Sequence, residues 1–185
     1  MKTKKLKLPS LVNIQRLQEE VRSLPAKAWK PHFNTQHYSG PWSVAPLRSV
    51  GGESDHIYPN PASEEPFKDT SFLESLPYTQ SVIGLIPGDK TAIRFMKLGA
   101  KGHIHEHRDY MLSIDDEDLR LHIPVFTHDA AEFWLDGERV FMQEGECWYL
   151  NFNLKHQLYN PGPTDRIHLV IDCVVSPELH SFILN

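Results

Sequence analysis

The chain has 185 residues, 40% of them hydrophobic, and carries a formal charge of −5 from 19 Lys plus Arg against 24 Asp plus Glu. That length suits one domain spanning 1–185, the apolar content excludes a disordered chain, and an acidic balance without an uninterrupted basic stripe argues against nucleic acid as a partner. No apolar run approaches the roughly 20 residues of a membrane span, and the Lys-rich start lacks the apolar stretch of a signal peptide, so we expect a cytoplasmic protein with no membrane partner.

In chain order, Ser10 precedes Leu11, Ile14, Leu17 and Val21 at helical spacing, which predicts an amphipathic helix capped by Ser10 and stopped at Pro25. Residues 26–67 hold many of the prolines and Gly51-Gly52, and read as loops with short edge strands around 32–38 and 44–50. Asp69 and Thr70 can cap a brief helix through Phe72, Leu73 and Leu76. From Gln80 onwards the chain becomes a series of short β-type runs divided by turn signals, at 80–86, 91–98, 103–107, 119–127, 131–135, 139–143, 147–151, 156–159 and 166–175. Such a series predicts a mainly β sandwich or barrel. Asp136-Gly137 is its clearest hairpin turn, because both residues tolerate positive φ. Ser176-Pro177 opens a terminal helical turn over 176–185, so that 1–80 would pack as helix and loops on a β core of 81–175. Cys147 and Cys173 both fall in strand-like runs and are expected as reduced, buried thiols.

The chemistry concentrates in the 11 histidines. His103, His105, His107 and Asp109 alternate, so an extended chain presents them on one face. His107-x-Asp109 with a distant histidine, for which His156 is the best-placed donor, is the donor set of a non-haem iron(II) facial triad; His105-x-His107 is a competing pair. Two further strands sharpen the reading. In LRLHIPVF the apolar residues point one way and leave Arg120 and His122 together on the other face, and DRIHLVID does the same with Arg166 and His168. Arginines on the polar face of two strands suggest a lumen that binds a carboxylate, since a guanidinium holds one bidentately.

Across RFMKLGAKGHIHEHRD, LRLHIPVF, the run from FWLDGERVF to RIHLVID, and more loosely WKPHFNTQHYSGPWSVAPLRS, the chain resembles the aspartyl/asparaginyl β-hydroxylase-like oxygenases. Arg166 follows His156 by ten positions, as that family's cosubstrate arginine follows its distal histidine. The resemblance implies a double-stranded β-helix (jelly roll) with a few peripheral helices, using Fe(II), 2-oxoglutarate and O2. It implies His107, Asp109 and His156 as metal ligands and Arg166 on the far carboxylate of 2-oxoglutarate, with Arg120 and His122 assisting near the carboxylate that chelates iron. Arg48 and Arg94 are further candidates for contacting substrate, which could be an amino acid, a peptide or a protein side chain, released hydroxylated together with succinate and CO2. Two other readings stay open: a cupin-type metal oxygenase or isomerase, from the spacing of Gly145, His156 and Asn160, and a non-catalytic carboxylate-binding barrel. Oligomeric state leaves no mark on the sequence.

Overall fold

A computed structural model describes residues 3–10, 12–55 and 63–184; Leu11 and His56 lie outside them. Two antiparallel sheets carry the fold, a mainly β jelly roll. The larger sheet runs β1 (Lys5–Leu8), β11 (Cys147–Leu150), β8 (Asp118–Phe126), β13 (Arg166–Val174), β6 (Lys90–Leu98), β4 (Trp42–Val50) and β2 (Lys30–Pro31), with β5 (Phe67–Asp69) also pairing to β4. The smaller runs β10 (Glu138–Arg139), β9 (Glu132–Leu135), β12 (His156–Tyr159), β7 (His103–His107) and β3 (Tyr38–Ser39).

The alternation read from the sequence decides which face goes where. On β8 and β13, Leu119, Leu121, Ile123, Ile167, Leu169 and Ile171 join one apolar core with the helices α1 (Ile14–Ser23), α2 (Ser71–Glu74), α3 (Pro77–Gly84) and α4 (Pro177–Leu184). The opposite faces of the same strands turn toward the smaller sheet, where Leu98, Ile104, Phe133, Leu150 and Leu158 form a second core. At about 25 cal/mol per Å² of buried apolar surface, two such cores are the main favourable term holding the sheets together. Polar residues of β6, β8 and β13 open into a cavity between these layers. Among the described residues no helix is long and apolar enough to cross a membrane. Cys147 and Cys173 are buried free thiols, each pushed up to about 12 by burial.

Several elements differ from the sequence reading. The helix α1 starts at Ile14 with Asn13, not Ser10, as its cap, the Asn13 side chain accepting from the Arg16 N–H. Ser10 instead donates to the Gly145 carbonyl. Residues 80–86, expected as a strand, lie largely in α3. Pro77 sits in its first turn, where no backbone donor is needed, and the Glu20 carboxylate of α1 accepts the N–H groups of Tyr78 and Thr79 at 2.7 Å. The expected short edge run at 44–50 is part of the nine-residue β4, paired to β6 over most of its length. The alternating KLKL start forms β1 against β11, a strand the sequence reading passed over. Asp136-Gly137 makes the hairpin turn between β9 and β10, with φ of 51° and 78°.

Candidate metal centre and its cavity

Strand pairing assembles the centre. In the β7–β12 ladder His107 and His156 are direct partners, so one antiparallel pair delivers two imidazoles to the same place. Asp109 follows two residues past the end of β7, and its N–H bonds to the Phe152 carbonyl at 3.0 Å, which ties that turn to the segment leading into β12. One donor atom from each of His107, Asp109 and His156 lies within 4.8 Å of the others.

Both imidazoles are oriented by the backbone. His107 Nδ1 lies 2.8 Å from the His105 carbonyl and His156 Nδ1 lies 3.0 Å from the Leu154 carbonyl. A carbonyl only accepts, so each Nδ1 carries the proton and each Nε2 presents a lone pair to the centre. Burial lowers the pKa of His156 to about 4, which keeps that lone pair available at neutral pH. The two nitrogens and one carboxylate oxygen fit a first-row divalent metal with open positions. Asp109 leaves one oxygen toward the histidines and commits the other. Its Oδ1 lies 3.6 Å from His107 Nε2, whereas Oδ2 accepts from Arg120 Nη1 at 2.7 Å. Burial pushes the Asp109 carboxyl up, but the Arg120 guanidinium, with His156, His107 and Arg94, more than offsets this and holds it below its usual value.

Behind Asp109 stands a buried charge network. Arg120 donates from Nε and Nη2 to the two oxygens of Asp172 at 2.6 and 3.0 Å, and Arg94 Nη2 donates to Asp172 Oδ2 at 2.8 Å. Burial opposes ionisation of Asp172, yet the two guanidiniums win and bring its pKa down to about 2. At the other end of the same face of β13, Arg166 is 4% exposed, and among the described residues no carboxylate pairs with it. Burial pulls its pKa down to about 9, so it remains a cation at neutral pH. An uncompensated buried guanidinium costs several kcal/mol, which makes this spot a receptor for an anion.

These groups share one cavity of about 780 Å³ that holds the three candidate ligands together with Arg94, Arg120 and Arg166. His122 lines it as well. Its mouth carries the exposed side chains of Phe33, Tyr110 and Met111, the last at φ 59°, a left-handed conformation that reverses the chain just past Asp109. Within the cavity wall His32 stacks on Trp42 at 3.4 Å between ring centres.

The structure thus brings His107, Asp109, His156, Arg94, Arg120, His122 and Arg166 to one cavity, but not Arg48. Arg48 donates to the Lys90 and Phe67 carbonyls and to Asp69 Oδ1, which commits it to holding β5 on β4. Asp172 escaped the sequence reading although it shares the parity of Arg166 along β13, and His168 was read only as a neighbour of Arg166 on the polar face, with no role of its own.

A family model described as aspartyl/asparaginyl β-hydroxylase matches residues 12–175. An L-proline cis-4-hydroxylase from Rhizobium meliloti (strain 1021) is 27% identical over 175 residues; the alignment covers 92% of the chain but only 60% of that relative. Among solved structures, a 2OG-Fe(II) oxygenase family oxidoreductase from Burkholderia pseudomallei superposes with a TM-score of 0.62 at 14% identity, covering 94% of this chain and 86% of its own. A prolyl-4-hydroxylase from Pseudomonas putida gives 0.55 at 12% identity, with 93% and 92% covered. At these identities the two structures speak to the fold.

Proposed function

The chain belongs to the aspartyl/asparaginyl β-hydroxylase family, and from that premise we propose that it is an Fe(II)- and 2-oxoglutarate-dependent hydroxylase of an amino-acid substrate, acting in the cytoplasm. The observation that carries this reading is the coexistence, in one cavity, of the His107, Asp109 and His156 donor set with a buried, anion-seeking Arg166. Fe(II) and 2-oxoglutarate, when bound, would supply oxygen activation coupled to decarboxylation of the cosubstrate to succinate and CO2, with hydroxylation of an unactivated carbon.

The chain's own residues do the rest. His107 and His156 turn their Nε2 atoms to the metal because the His105 and Leu154 carbonyls occupy their Nδ1 atoms. Arg120 occupies the second oxygen of Asp109 and so restricts it to a single coordinating atom, which keeps positions free for cosubstrate and O2. Arg166 holds the far carboxylate of 2-oxoglutarate, the anion its buried charge lacks, and His122, which lines the same cavity, assists in holding the cosubstrate. Arg94, held by Asp172, lines the same cavity and is the candidate contact for the substrate. A free amino acid is the substrate class we favour, in keeping with the name of the Rhizobium relative; the exposed Phe33, Tyr110 and Met111 would close over its apolar part and exclude water.

Anaerobic addition of Fe(II) and then 2-oxoglutarate to the metal-free protein tests the reading. The expected result is a visible metal-to-ligand charge-transfer band, abolished in His107→Ala and requiring at least tenfold more 2-oxoglutarate in Arg166→Ala. A wild-type protein that binds metal yet develops no band would overturn it.

A further inference from the structure

Resting on the reading above, we infer that His168 is a positioning residue for the cosubstrate anion: its Nδ1 lone pair clamps the Arg166 guanidinium, and His122 meets that same Nδ1. His168 is 1% exposed and stands two residues after Arg166 on the same face of β13. Its Nδ1 lies 3.3 Å from Arg166 Nη2 and 3.4 Å from His122 Nδ1.

Hydrogen-bond chemistry permits one proton arrangement. A guanidinium has donors and no lone pair, so the His168 Nδ1 that meets Arg166 must accept, and the His168 proton sits on Nε2. The same Nδ1 then meets His122 only if His122 Nδ1 carries a proton. His122 Nε2 is left as a lone pair, and it is the atom found buried without a hydrogen-bond partner. Phe152 stacks on the His122 ring at 5.0 Å and Phe133 meets it edge-on at 6.3 Å, which fixes the plane of the ring. Burial and the neighbouring arginines hold both imidazoles neutral, in keeping with an acceptor beside a guanidinium.

The consequence is directional. One Nη of Arg166 is held by a short-range neutral acceptor on its own strand, which settles the rotation of the guanidinium plane and leaves the rest of the fork for the cavity. A carboxylate in the place of His168 would satisfy the arginine and remove its appetite for an anion; an apolar residue would leave the plane unanchored. A neutral acceptor avoids both faults.

The test uses the full-length protein loaded with Mn(II) and measures binding of 2-oxoglutarate by calorimetry, beside 2-oxobutyrate, a 2-oxo acid without the far carboxylate. His168→Leu is expected to weaken 2-oxoglutarate about tenfold or more while changing 2-oxobutyrate less than about threefold. His168→Asn, whose Oδ1 can replace the Nδ1 acceptor, is expected to stay within about threefold of wild type for both. In turnover the Leu variant should raise KM for 2-oxoglutarate far more than it lowers kcat. If His168→Leu does not fold, His168→Phe carries the same expectation. A folded Leu or Phe variant that binds 2-oxoglutarate like wild type overturns the assignment, as does equal weakening of both acids. Failure of the wild type itself to bind 2-oxoglutarate overturns the oxygenase reading and the assignment with it.

Discussion

Asp172 touches none of the candidate ligands, yet it decides how one of them is held. It binds Arg120 through two hydrogen bonds and Arg94 through one, and Arg120 then reaches Asp109. Removing the carboxylate takes from the buried Arg94 its Asp172 ion pair and leaves Arg120 with Asp109, the expensive half of a broken buried ion pair. Asp172→Ala should therefore cost about 3–5 kcal/mol of stability, by the measure of breaking such pairs, and Asp172→Asn, which keeps an acceptor, should cost less; denaturant unfolding of the metal-free protein measures both. A loss under about 1 kcal/mol in the Ala variant would contradict this account. Alternation along 166–174 puts Asp172 on the face of Arg166 and His168, so the residue was readable, but its partners were not. They come from β6 and β8, 78 and 52 positions away. Arg48 shows the converse: an arginine in a suggestive run is consumed by structural pairing with β5.

At the scale of elements, the extents of β7 and β12 were legible almost to the residue, but their register was not: His156 pairs with His107 and Leu158 with Ile104 only through a register shift between them, an irregularity no alternation pattern contains. The helix α3 was not legible, since its sequence has no helical stripe and reads equally as an apolar run. Its capping partner is Glu20 on another helix, a contact no local pattern contains. Glu20→Ala should remove three charge-assisted hydrogen bonds from the α3 start and lower stability by about 1–2 kcal/mol, whereas Glu19→Ala on the same helix should change little; thermal melts of the pair check this. In the β9–β10 hairpin, Gly137 sits at φ 78° with open space around the position of a Cβ. Gly137→Ala should therefore cost about 1–2 kcal/mol through backbone conformation alone, and a neutral substitution would refute that.

For the whole molecule, burial of neutral imidazoles sets a pH dependence. His32 is lowered to about 4 by burial and by Arg94, and His122 and His168 are driven well below their ordinary value by burial, with Arg120 and Arg166 adding to it. An unfolded histidine titrates near 6.5, so between about pH 6.5 and 4 the unfolded chain binds more protons than the folded one, and stability falls as pH falls. Below that window the depressed carboxylates Asp109 and Asp172 add to the loss. The Tm of the metal-free protein should drop steadily from pH 7 to pH 4.5; a flat profile would contradict it. What the sequence by itself determined was the β architecture, the two faces of β8 and β13, and the spacing that makes His107, Asp109 and His156 candidate ligands, because strand periodicity is local and every residue carries it. Tertiary structure alone decided that 77–84 is helical, that Arg120 serves Asp109 and Asp172, that Arg48 is spent away from the cavity, and that Arg166 has a neutral histidine instead of a carboxylate beside it. Those outcomes depend on which distant strands become neighbours and on how deeply each charge is buried, and pairing and burial are properties of the assembled sheets.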